Sequence, residues 1–385
     1  MSVVITGASG FLGSRVLRHL LAGEAGKAGE AGETRETVTV LGRGSPETLR
    51  ERVEAAVAWL DGPPIAPDAW RRLRYVSADL TRPALGLTPE QLAEVAADAR
   101  EVWHCAALLH LAGDQSELFS TNVRGTRAVL DLAERAPDAH LVHVSTAFVA
   151  GRRDAGHIME DDLSDADGFH TRYEETKYTA ERMIRAWTAA KGRRAVIARP
   201  SLLVADRPAP AGLPAQPLDY VARLVDDTLR PRTGPLPELP MRGGVLPMRL
   251  QGDPNGTMNL LQADYAAEAL MRVAAAGRAR TGVGVRTVHI THPREVAFPA
   301  ARDALRDLYP GLRLTVVPTV RNPSRHEALV IEHAGHLLDF GVQRRTYDRT
   351  HLREDVGDLP EPPDVDAAYL SRAFDRDGAS RTAAV

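Results

Sequence analysis

Three features of the 385-residue chain predict a doubly wound α/β fold, a parallel sheet covered by helices on both faces. Short apolar or β-branched runs alternate with longer segments of helical apolar spacing. The first run passes through a glycine-rich turn straight into a helical pattern. The densest proline-rich stretches follow residue 200, outside that alternation.

"VVIT" (3–6) is the first strand, and "FLGSRVLRHLLAG" continues as a helix with apolar spacing through Phe11, Leu12, Val16, Leu20 and Leu21. Residues 23–36, "GEAGKAGEAGETRE", are poor in apolar side chains and predict a mobile surface insertion. "TVTVLGRG", "LRYVSADL", "EVWHCAA", "HLVHVST" and "RAVIARP" follow as strands, with helices expected near 46–60, 89–99, 115–135 and 172–190. "DRPAPAGLPAQPLD" and "RPRTGPLPELPMRGG" then predict an insertion away from the sheet, with one short helix around 217–229. "GTMNLLQADYAAEALMRVAAAG" and "RTVHITHP" return the chain to the strand and helix alternation, and a helix is expected at 297–309 before a charged tail. The expected organisation is a nucleotide-binding unit of residues 1–205 plus 256–293 and a smaller substrate-binding region of 206–255 plus 294–385.

Composition narrows the function. Hydrophobic residues at 44% and charged residues at 26% suit an ordinary globular protein. A formal charge of -3, with basic and acidic residues interleaved, predicts no nucleic-acid groove. No segment has the ~20 apolar residues of a membrane span. The start of the chain lacks a basic, cleavable leader pattern, so the expectation is a cytoplasmic protein. Cys105 is the only cysteine, which rules out an internal disulfide.

Gly7, Gly10 and Gly13 in "TGASGFLG" stand three apart at the first strand-to-helix junction. A pyrophosphate needs a tight turn, close backbone and the free amides of a helix N-terminus, and glycines at this junction provide them. The second strand ends "VLGRGS", with Arg43 where a ribose-binding acid would sit; Arg43, with Arg52 a weaker second, suits a 2′-phosphate. Of 48 basic residues only Lys27, Lys177 and Lys191 are lysine. Lys177 lies four residues after Tyr173 in "TRYEETKYTAER", on the same helical face.

In order, "TGASGFLG", "SADL", "HCAALLH", "TNVRGT", "VSTAFVAG", "YEETK" and "ARPS" resemble the extended short-chain dehydrogenase/reductase superfamily. "GFLG", "DLTRPALGLTPEQL" and "STAFV" resemble its thioester reductase and fatty acyl reductase branch, the male sterility-like NAD-binding group. The likeness is dense over 1–202 and patchy over 256–293. Two departures stand out: Thr176 replaces the branch's usual serine before the lysine, and "NLLQADYAAEA" matches its "PVDYVA" element loosely.

The resemblance implies a Rossmann fold, NADPH as cofactor, and a catalytic set of Thr146, Tyr173 and Lys177 assisted by Asn122. It places Thr6, Gly7, Ser9, Gly10, Phe11, Leu12 and Gly13 at the pyrophosphate turn and Asp79 and Leu80 at the adenine. Ala106 and Ala107 would lie beside the cofactor, with Pro200 and Ser201 near the carboxamide. An ammonium beside the Tyr173 phenol is expected to favour the phenolate and lower its pKa. The implied activity is NADPH-dependent reduction of an acyl thioester to an aldehyde, with further reduction to an alcohol left open. No adenylation or carrier segment is legible, so the acyl group is expected from a separate carrier protein or as a coenzyme A ester. Two alternatives stay open: a reductase or dehydrogenase of a ketone, alcohol or nucleotide sugar, and a non-catalytic NADP-binding sensor or scaffold. His326, His333 and His336 with Glu327 and Glu332 lack a metal-binding spacing, and no metal is expected.

Overall fold

The computed structural model describes residues 2–22, 36–109, 114–219, 222–223, 245–338 and 342–375. Most of the insertion expected at 23–36 and most of the helix expected at 217–229 lie outside the described residues, as does 224–244 of the proline-rich region.

Seven strands form one parallel sheet: β1 (Ser2–Thr6), β2 (Thr37–Gly42), β3 (Leu73–Ser77), β4 (Ala99–His104), β5 (His140–Val144), β6 (Arg194–Pro200) and β7 (Gly284–Ile290). Their spatial order is 3-2-1-4-5-6-7, all neighbours parallel. The order reverses between β1 and β4, where Thr6 pairs with His104, and this opens a crevice at the carboxyl ends of the two strands.

Helices α1 (Phe11–Ala22), α2 (Pro46–Ala58) and α6 (Ala263–Ala279) cover one face; α3 (Pro89–Ala97), α4 (Gly125–Arg135) and α5 (Arg172–Lys191) cover the other. The first face packs Val16, Leu17, Val53, Leu270 and Val273 on Val3, Ile5 and Val288, and the second packs Leu92, Val129, Leu132 and Ile184 on Val4, Val102 and Ile197. This two-sided burial explains why the strands read as nearly continuous apolar runs rather than as alternating ones.

The helix expected over 115–135 is three pieces: Gln115–Phe119, a π turn at Ser120–Arg124, and α4. Helix α5 starts at a capping box: Thr171 Oγ1 accepts from Glu174 N and a Glu174 oxygen accepts from Thr171 N. Gly192, at φ +62°, ends it.

A second core joins Val204, Leu246, Met248, Leu260, Leu305, Leu312 and Leu370. Within it Leu246–Gln251 pairs with Leu312–Val317, a strand pair absent from the sequence expectation, and Phe298–Leu308 forms the helix anticipated at 297–309. Further elements follow in the described part of the C-terminal region. Arg344–Tyr347 pairs with Ala155–Ile158, and Leu352 and Val356, on the helix Thr350–Val356, pack into the core under α6.

Candidate active site

At the crevice between β1 and β4 a cleft of about 330 Å³ brings together Thr6, Gly7, Ser9, Gly10, Arg43, Arg52, Asp79, Leu80, Ala106 and Ala107. Gly7 has φ +76°, and a Cβ there would stand 2.5 Å from Ala106 N, so only glycine allows the turn to lie against the end of β4. A Cβ on Gly13 would overlap the Gly7 carbonyl oxygen. Gly10 N donates to Gly7 O at 2.9 Å, which closes the turn and leaves the first-turn amides of α1, from Phe11, Leu12 and Gly13, without helical partners. The cradle therefore fits a pyrophosphate.

At the far end of the cleft Arg43 and Arg52 are exposed, and an Arg52 guanidinium nitrogen donates to the Arg43 carbonyl. Asp79 accepts from Thr81 N at 2.9 Å and Thr81 Oγ1 at 2.7 Å, and these bonds, helped by Arg43, hold its carboxyl below the usual range. Two exposed guanidinium groups beside the ribose end of the cleft fit a 2′-phosphate.

Leu108 links the cleft to the second half of the site. It lines the cleft, and its backbone is gripped by Asn122: Leu108 N donates to Asn122 Oδ1 at 2.8 Å, and Asn122 Nδ2 donates to Leu108 O at 3.0 Å. Asn122 sits in the π turn, and its Nδ2 also donates to Thr176 Oγ1 at 3.1 Å; that hydroxyl donates to Tyr173 O at 2.8 Å. Asn122 thus joins Leu108 to the first turns of α5, and the Thr176 hydroxyl holds the bonds at the position where the resembled branch has serine.

Lys177 is 2% exposed. Its Nζ donates to Val144 O at 2.6 Å and lies 3.4 Å from His143 Nε2. Burial draws its pKa down to about 8, with Glu181 acting in the opposite sense. Burial and the Lys177 charge push His104 to about 3 and His143 well below its ordinary value, so both imidazoles are neutral. The Tyr173 phenol is pushed up by burial and by Glu174, opposite to the lowering expected from Lys177. Thr146 follows β5 and caps the short helix Ala147–Ala150; its Oγ1 accepts from Phe148 N at 3.2 Å, which leaves its proton to donate. Ser201, after Pro200 at the end of β6, is 6% exposed, and its hydroxyl has no partner among the described residues.

The layer behind these side chains is absent from the sequence expectation. Glu181 Oε1 accepts from Ser145 Oγ at 2.6 Å and from Arg199 Nε at 2.9 Å, and Oε2 accepts from Arg199 Nη2 at 2.7 Å. Glu181 continues the four-residue spacing of Tyr173 and Lys177 within "TRYEETKYTAER", which was the available signal. Glu327, from the histidine-rich stretch, instead binds Arg249 at 2.8 Å, and no metal-binding group of three side chains occurs among the described residues.

A seven-stranded parallel sheet in this order, with a glycine cradle at the switch point and a Tyr-x-x-x-Lys helix beside it, defines an extended short-chain dehydrogenase/reductase. Residues 5–227 match the NAD-binding family described as male sterility protein, and the chain belongs to that family. It is 32% identical over 237 residues to the nonribosomal peptide synthetase-like enzyme fsqF of Aspergillus fumigatus, a match covering 58% of this chain and 14% of that one. It is 28% identical over 152 residues to fatty acyl-CoA reductase 2 of Mus musculus, covering 38% of this chain and 28% of that one. The chain thus spans under a third of the length of both relatives. The solved terminal R domain from the myxalamid PKS-NRPS biosynthetic pathway shares the fold, with a TM-score of 0.72 at 22% identity over 100% of this chain and 91% of that one. No helix among the described residues is long and apolar enough to cross a membrane.

Proposed function

We propose that this protein is an NADPH-dependent reductase of acyl thioesters, acting on an acyl group carried by a carrier protein or by coenzyme A and yielding an aldehyde. The observation that carries the proposal is Lys177, a buried ammonium held on the carbonyl two residues before Thr146, in a chain whose residues 5–227 match the male sterility family. An ammonium away from water is costly and is kept where chemistry uses it.

NADPH, when bound, supplies the hydride. Gly7, Gly10, Gly13 and the start of α1 hold its pyrophosphate, Arg43 and Arg52 its 2′-phosphate, and Asp79, Leu80, Ala106, Ala107, Pro200 and Ser201 border it. Reduction places negative charge on the thioester oxygen. Thr146 Oγ1, which accepts from Phe148 N–H through one of its two lone pairs, keeps its proton free and donates it in a hydrogen bond to that oxygen. The Tyr173 phenol, protonated at working pH as an ordinary phenol is, donates its proton to the same oxygen. Lys177 stabilises the phenolate left behind. Collapse of the thiohemiacetal then breaks the C–S bond and releases thiol and aldehyde.

NADPH oxidation is to be followed with acyl-coenzyme A and acyl-pantetheine thioesters beside matching aldehydes and ketones, with Tyr173→Phe as control. Turnover that depends on thioester and tyrosine, with free thiol released, supports the proposal. Turnover with carbonyl compounds alone assigns the protein to ketone or aldehyde reduction.

A further inference from the structure

We propose that Glu181 is the positioning residue of this site, one buried carboxylate that fastens together the three chain segments bearing its proposed reactive and cofactor-bordering groups and supplies the negative charge facing Lys177. The inference rests on the proposed roles of Thr146, Tyr173 and Lys177.

Each segment reaches Glu181 through a neighbour of a site residue. Ser145, which bonds Glu181 Oε1 at 2.6 Å, directly precedes Thr146. Arg199, which grips both carboxylate oxygens at 2.9 and 2.7 Å, directly precedes Pro200 and Ser201. Glu181 itself lies on α5, one turn beyond Lys177 and two beyond Tyr173. Both members of the Glu181–Arg199 pair are 0% exposed. Arg199 Nη1 extends the network to Glu160 O at 3.1 Å and His289 Nε2 at 3.4 Å. Glu160 in turn accepts from His289 N at 2.9 Å and His351 N at 2.6 Å, so β7 and the helix Thr350–Val356 are tied to the same point.

A buried ion pair is weak evidence of stabilisation, because apolar side chains of similar volume often do as well. What apolar packing cannot do is hold three backbones in one register by directed bonds and oppose a buried ammonium. The groups facing Lys177 are His143 and the Val144 carbonyl from β5, His104 and Cys105 at the end of β4, and Glu181 from its own helix, with Arg199 behind Glu181 on β6. Both imidazoles are neutral, and burial pushes the Cys105 thiol up to about 12. Glu181 is the carboxylate of the set.

The test uses the full chain as wild type, Glu181→Gln, Ser145→Ala and Tyr173→Phe. With only three lysines, carbon-13 labelling at lysine Cε resolves the Lys177 titration without any substrate. In Glu181→Gln the Lys177 titration is expected at lower pH than in wild type. Its turnover is expected to fall roughly ten- to hundredfold at near-normal NADPH affinity, the scale of a small misplacement of reacting groups. Ser145→Ala is expected to lose turnover less and to leave the Lys177 titration in place, and a variant combining Ser145→Ala with Glu181→Gln to be no worse than Glu181→Gln alone, because Ser145 acts through that carboxylate. An unchanged Lys177 titration in Glu181→Gln overturns the proposal. If Glu181→Gln fails to fold, Glu181→Asp and Ser145→Ala decide: wild-type turnover in both overturns it. Turnover retained by Tyr173→Phe removes the proposed site roles, and the Lys177 titration then still decides the role of Glu181.

Discussion

Lys177 Nζ donates to the carbonyl of Val144 at 2.6 Å, so the ammonium of α5 is pinned to the last residue of β5, two residues before Thr146. Helix and strand are thereby joined beside the proposed catalytic hydroxyl of Thr146.

Tyr173→Phe removes the proposed acid and leaves the ring. Its turnover is expected to drop about a hundred- to ten-thousandfold, the range for general acid catalysis. NADPH affinity, measured by nicotinamide fluorescence, should change little. Retained turnover would mean that the thioester oxygen takes its proton elsewhere.

Lys177 predicts opposite pH trends for activity and stability. Its ammonium is the proposed stabiliser of the phenolate, so activity should decline as pH rises through about 8. Its pKa is lower folded than the ordinary 10.5, so the native state holds this proton less tightly than the unfolded chain does. The resulting penalty is present in full below about pH 8 and fades as pH rises toward 10.5. Thermal melts of Lys177→Met against wild type should show a gain of at most about 3 kcal/mol at neutral pH, shrinking toward the alkaline end.

Arg43→Asp places a carboxylate where the 2′-phosphate is proposed to lie. The ratio of kcat/KM for NADPH over NADH should fall roughly ten- to hundredfold, the value of a charge-assisted hydrogen bond. No change in that ratio would leave Arg43 as a surface residue.

Asn122→Ala strips Leu108 of two backbone partners and Thr176 of one. A loss of about 1–3 kcal/mol is expected by chemical denaturation, together with slower turnover. Thr176→Ser should behave as wild type, since it keeps the hydroxyl, whereas Thr176→Val should resemble Asn122→Ala.

Gly13→Ala tests the cradle. Its methyl group would meet backbone atoms of Gly7 that have no room to move. NADPH binding should weaken at least tenfold, alongside a loss of about 1–3 kcal/mol in stability.

What the sequence alone determined was the local and ordered part: the strand and helix alternation, the glycines at the first junction, and the four-residue step from Tyr173 to Lys177. These depend on backbone preferences and periodicity, which neighbouring residues carry. The strand pairings of Ala155–Ile158 with Arg344–Tyr347 and of Leu246–Gln251 with Leu312–Val317 were not legible, because their partners are far apart in the chain and only burial between them selects the register. Only the tertiary structure decided that Ser145, Glu181 and Arg199 converge, that Leu108 closes onto Asn122, and that the Tyr173 phenol is raised rather than lowered. Directed bonds and desolvation depend on which distant groups share a buried space, and sequence spacing does not encode that.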